Sequence, residues 1–165
     1  MATTLPVKIE FSLPEGWQPA SPDEVGAPEV AFVALHPESR DGFTANITIA
    51  GKIREDLADL VTLAEESVQR LSQAATVRVA KRNQVGTPEA PALTQTLRLS
   101  GRLRGLPLEL VQSQVYLIMQ DVHDPARRAV LEFTLTAKSS QFEEVQDDFK
   151  EFVRSIRPVD APAST

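Results

Sequence analysis

Two groups of side chains carry types that do chemistry. Asp121, His123 and Asp124 fall together just before Pro125, where a carboxylate would orient an imidazole for acid–base work or help hold a cation. The same residues suit a solvated turn, since Asp-Pro initiates turns, and no candidate nucleophile accompanies them. His36 and Asp41 flank a second turn, and two ligands fall short of the four that a structural metal site takes. There is no G-x-S-x-G elbow, Walker pattern, G-x-G-x-x-G or H-E-x-x-H. The residues therefore point away from an enzyme and imply no metal and no cofactor. A hydrolase using Asp121, His123 and Asp124 is the minor alternative.

A different chemistry, recognition without reaction, has better candidates. Gln95, Gln112 and Gln114 interrupt otherwise apolar strand faces, with Tyr116 close by. If a helix covers those faces, each amide needs a partner, at about 1–3 kcal/mol when left without one. If the face is open, it is a mixed polar and apolar surface suited to a peptide or helix. Arg102, Leu103 and Arg104 sit between two glycines, with the apolar residue at the tip, where it would anchor a partner. Arg98 with Arg78, Lys81 and Arg82 would extend this into a basic patch for an acidic protein surface or a phosphate, or would be an ordinary charged sheet edge.

Composition narrows the partners. The 165 residues include 42% apolar, 24% charged and 5% aromatic side chains, with a formal net charge of −6. These values suit one globular domain, read as 1–158 with a disordered tail over 159–165. The negative charge argues against nucleic acid, and the few aromatics against stacking platforms for single strands. The absence of cysteine excludes disulfides and thiolate chemistry. No apolar run approaches the ~18–20 residues that span a bilayer, and no leader pattern opens the chain. A cytoplasmic protein, with a homodimer as one further expectation, follows.

The elements that would position these residues read as follows. Segments 7–13, 30–35 and 43–49 are three strands, the last alternating Phe43, Ala45, Ile47 and Ile49 against Thr44, Asn46 and Thr48. Between the first two, the Pro-rich stretch 14–28 reads as an irregular loop. Asp56 caps a helix whose stripe is Leu57, Leu60, Val61, Ala64, Val68 and Leu71. Strands follow at 76–85, 92–100, 106–120 and 129–137, with a hairpin loop at 101–105. The apolar phase of 106–120 changes from even to odd near Gln112, which suggests a β-bulge or a switch of covered face. A last helix opens on a Ser140/Glu143 capping box and runs an apolar stripe from Phe142 to Ile156, ending at Pro158. Trp17 caps one edge of the core. The order β-β-β-α-β-β-β-β-α gives an α+β domain: a six- to seven-stranded, mostly antiparallel sheet packed by two helices.

These residues resemble a known family. Leu13-Pro14-Glu15-Gly16-Trp17 after the opening strand, Gly101…Gly105 and Gln114-x-Tyr116 in the meander, and Leu131-Glu132-Phe133-Thr134 before a helix ending Phe152-Val153-x-Ser155-Ile156 resemble the Mog1/PsbP-like superfamily, including its DcrB-like and LpqN-like bacterial members. The resemblance implies an α/β/α sandwich and activity by binding. It implies a non-catalytic protein-binding or adaptor domain, with a secretion-associated chaperone as a specific form. A carrier of a small apolar ligand or lipid is the alternative. The chain departs from the lipoprotein members in having no lipobox cysteine.

Overall fold

The computed structural model describes residues 5–27, 29–37, 43–56, 58–88, 90–103, 105–120 and 127–158. Asp41, Leu57, Arg104, the Asp121, His123 and Asp124 group, the 159–165 tail and the side chain of Leu103 lie outside the described residues. The elements are β1 (Ile9–Glu10), β2 (Gln18–Ala20), β3 (Phe32–Leu35), β4 (Asn46–Arg54), α1 (Leu60–Leu71), β5 (Thr76–Gly86), β6 (Pro91–Leu103), β7 (Leu106–Gln120), β8 (Arg128–Lys138), α2 (Ser139–Ser155) and β9 (Arg157–Pro158). Seven strands form one sheet in the order β2-β3-β4-β8-β7-β6-β5, and every pairing in it is antiparallel. The α+β expectation holds.

Strand alternation builds two layers. Ile47 and Ile49 of β4 and Leu131, Phe133, Leu135 and Ala137 of β8 are fully buried on one face, against Val145, Phe149 and Phe152 of α2. Each such Val, Ile, Leu or Phe side chain contributes about 1.5–3 kcal/mol when removed from water. The other face holds a smaller cluster in which Leu60, Leu63 and Ala64 of α1 meet Leu93, Tyr116, Ile118 and Val130. The sheet is thus sandwiched, and β7 is apolar on both faces in its second half. That explains its phase change: the register of β7 runs unbroken against β6 and β8. Both faces are covered in that half, so neither the expected bulge nor a switch of covered face occurs there. The bulge lies in β5, between Val79 and Lys81.

Other expectations are corrected. Segment 7–13 is a strand only over Ile9–Glu10, pairing with β9 outside the main sheet. Its alternate side chains Val7, Ile9, Phe11 and Leu13 still pack on the α2-side core. The Pro-rich stretch contains β2, an edge strand, where Pro19 is tolerated. Asp59 caps α1, accepting from the Thr62 N–H at 2.8 Å, while Asp56 is held by both Nε and Nη2 of Arg54 at 3.0 and 2.5 Å. The buried stripe of α1 is accordingly Leu60, Leu63, Ala64 and Ser67, and Val61 is exposed. The last helix starts one residue before Ser140, and Gln141 reaches back to the Lys138 N–H at 2.8 Å. The expected loop at 101–105 is a tighter hairpin, since Leu103 and Leu106 are already register partners. Gly105, with φ of 81°, takes a left-handed conformation that glycine adopts without strain.

Candidate functional site

The face of the sheet beneath α1 carries an unbroken polar row. Thr48, Thr134, Gln114, Gln95 and Arg82 are successive register partners on β4, β8, β7, β6 and β5. The bulge in β5 is what brings Arg82 into it. With Ala80 as the extra residue, Arg82 points to the face opposite Arg78, although both are even-numbered.

Hydrogen bonds along this row run in one direction. Arg82 Nε donates to Gln95 Oε1 at 2.9 Å, and Gln95 Nε2 donates to Gln114 Oε1 at 2.7 Å and to the Ala64 carbonyl at 3.3 Å. Gln114 Nε2 donates to Ser67 Oγ at 3.1 Å and to Gln112 Oε1 at 2.9 Å. Gln112 Nε2 then donates to Thr136 Oγ1 at 3.1 Å. A guanidinium has no acceptor, so Arg82 fixes the first amide, and each amide fixes the next. The other arm of Arg82 donates to Glu65 of α1 at 3.0 Å.

A branch leaves Gln114. Tyr116 OH lies 3.3 Å from Gln114 Oε1 and donates to Glu132 Oε2 at 3.1 Å, its register partner on β8. Arg70 of α1 stands 3.8 Å from the same carboxylate. Burial, with the Glu132 charge beside it, pushes the Tyr116 phenol up, so it stays a donor. Burial also raises Glu132, and Arg70 and Tyr116 offset part of that rise.

α1 covers the β5–β6–β7 part of this face and leaves the β4–β8 part open. There a cleft of about 630 Å³ runs between α1 and Ala27, Glu29 and Val30. Its floor is Asn46, Thr48, Ala50 and Lys52 from β4, Glu132, Thr134 and Thr136 from β8, and Gln112 from β7. Leu63, Leu71 and Val30 give its walls apolar patches. Arg54 ties β4 to α1 at one end, with Nη1 donating to Glu66 Oε1 at 2.8 Å. The hydrogen bonds from Arg54 lower Glu66 from its ordinary value and hold Asp56 at about 2.

The sequence candidates separate accordingly. Gln95 and Gln114 are buried and fully engaged, which is the covered-face alternative, so neither meets solvent directly. Tyr116 is buried except for its place at the cleft edge, and Gln112 is half-buried on the floor. Arg102 is exposed at the far hairpin and donates to the Gly105 carbonyl at 2.9 Å, away from the cleft. Leu106 beside it is exposed. His36 stacks obliquely on Trp17 with ring centroids 5.0 Å apart. Among the described residues no group of three or more metal-ligating side chains converges.

Sequence reasoning missed Asn46, Thr48, Thr134 and Thr136 as a surface. Their alternation was visible in 43–49 and 129–137. Their convergence needs β4 to pair with β8, a contact across most of the chain.

No protein-family model matches this chain, and no curated protein sequence does. Solved structures do match. LpqN, involved in cell envelope biogenesis of Mycobacterium tuberculosis, superposes with a TM-score of 0.66 at 12% identity, over 94% of this chain and 86% of that one. The cyanobacterial PsbP of a Synechocystis species gives 0.58 at 15% identity, over 92% and 86%. A variant of Mog1 gives 0.56 at 13% identity, over 93% and 92%. The fold is therefore that of the Mog1/PsbP-like proteins, and at such identities the likeness is one of fold. Among the described residues no helix is long and apolar enough to cross a membrane.

Proposed function

We propose that this chain is a non-catalytic binding domain whose cleft receives an extended, polar segment of a protein partner. The observation that carries this reading is the cleft floor. It is made largely of amides and hydroxyls, with Gln112 and Thr136 oriented by the one-way hydrogen-bond row, groups that grip a ligand without exchanging atoms with it. Thr136 accepts from Gln112 and keeps its own proton, and Gln112 Nε2 keeps a second. Alternate floor residues along a strand repeat at about 6.8 Å, the repeat of an extended peptide laid beside them.

The apolar walls give some support to the narrower form, a secretion-associated chaperone shielding apolar segments, and the polar floor supports the general form. A carrier of lipid or a small apolar ligand has only those walls in its favour.

The test is a selection of phage-displayed random dodecapeptides on the wild-type chain, counter-selected on Ala50→Trp, which fills the cleft from its floor. The expected outcome is peptides rich in Asn, Gln, Ser and Thr that lose affinity about tenfold or more on Ala50→Trp, while that variant melts cooperatively. Peptides that bind both forms equally, or no enrichment, would reject the reading.

A further inference from the structure

The opposite face of the sheet carries a second feature, independent of the cleft. α2 packs on β8 and β7, and among the described residues no helix covers the part of that face contributed by β5 and β6. Arg78 and Arg98 are direct register partners there, and Lys81 pairs with Thr96 next to them. Arg102 follows Arg98 at strand spacing on the same face. All four cations are exposed. None of Arg78, Lys81 and Arg98 has a carboxylate partner among the described residues. Glu109, the acidic residue of β7 on this face, accepts from the Ser100 hydroxyl at 2.5 Å and forms no ion pair with these cations among the described residues.

Two arginines facing each other across a ladder destabilise the pairing. Cations on an edge strand discourage strand addition, which accounts for Arg78 and Lys81 on β5. It does not account for Arg98, because β6 is paired on both sides. A chain of net charge −6 has placed like charges opposite each other, with no carboxylate paired to either among the described residues. Complementarity to carboxylates is what such a face offers.

We infer that the β5–β6 face around Arg78 and Arg98 docks a carboxylate-rich segment of a partner protein. Acetylated, amidated hexaglutamate is the probe, titrated into the isotopically labelled full chain. Backbone amides of 76–82 and 96–100 shift, and the affinity weakens severalfold between about 50 and about 300 mM salt. Arg78→Glu loses binding about tenfold or more, because the new carboxylate repels the peptide. The same change places opposite charges across the ladder, so the melting temperature holds or rises, which separates loss of docking from loss of fold. Arg98→Ser weakens binding in the same direction. Ala50→Trp leaves hexaglutamate binding unchanged, which keeps this surface distinct from the cleft. Absence of shifts on this face, retained binding in Arg78→Glu, or tighter binding of an oligothymidylate would overturn the inference, the last by assigning the face to nucleic-acid phosphate.

Discussion

Gln95 Nε2 donates to Gln114 Oε1 at 2.7 Å, and the two residues are register partners on neighbouring strands beneath α1. This amide pair binds the polar row to the helix, since Gln95 reaches the Ala64 carbonyl and Gln114 reaches Ser67. The position of α1, and so the width of the cleft, depends on both.

Replacing either glutamine with leucine leaves buried partners without a bond. Gln95→Leu and Gln114→Leu each lower stability by about 1–3 kcal/mol. The double variant loses less than the sum, with a coupling of about 0.5 kcal/mol or more, because the shared bond is removed only once. Urea unfolding of the four proteins measures the cycle.

Arg82 sets the direction of the row from outside the cleft. Arg82→Met removes the donor that fixes Gln95 and the contact with Glu65, for about 1–2 kcal/mol given the partly exposed pair. The Gln95 and Gln114 side-chain amide signals broaden or double as the carboxamides become free to turn over. Unchanged, sharp signals would contradict the directional role.

Trp17 stitches the segment before β2 to the last helix. Its ring is buried, and Nε1 donates to Asp148 Oδ2 at 2.9 Å. Trp17→Phe costs about 1–2 kcal/mol through the lost bond and the space left behind. Asp148→Asn keeps an acceptor and costs less. Thermal melts of the two variants rank them.

Glu132 gives the pH dependence an unusual sign. Its folded pKa is raised, chiefly by burial, so the folded state holds that proton more tightly than the unfolded chain does. Its contribution to stability is present at acid pH and is lost as pH rises through the raised value. Asp56, Asp59 and Glu66 are lowered, by Arg54, by the Thr62 N–H and by Arg54 respectively, and act in the opposite sense, losing their contribution as pH falls. Glu132→Gln therefore melts higher than the parent at pH 8, and the difference shrinks towards pH 4. Scans across that range check it.

Where local pattern decides structure, the residues announce it. Leu131, Phe133, Leu135 and Ala137 alternate into the core as expected, and the apolar stripe of α2 is buried along Val145, Phe149 and Phe152. Local rules failed at Asp56, because Arg54, which also binds Glu66 of α1, holds its carboxylate and leaves Asp59 to cap the helix. The bulge in β5 carried no local mark: Val79, Ala80 and Lys81 run through it with no glycine or proline. Gln95, Gln112 and Gln114 stood out as breaks in apolar faces. What made them a row was pairing with Thr134 and Thr136, which periodicity alone does not encode.

Nitrogen–proton correlation spectra of the labelled chain, with a peptide selected on the cleft, locate the bound segment directly. The account predicts that the side-chain amides of Gln112 and Asn46 and the backbone amides of 46–52 and 130–136 shift in proportion to occupancy. A peptide that binds while those signals stay fixed, with shifts confined to the far side of the sheet, would contradict it.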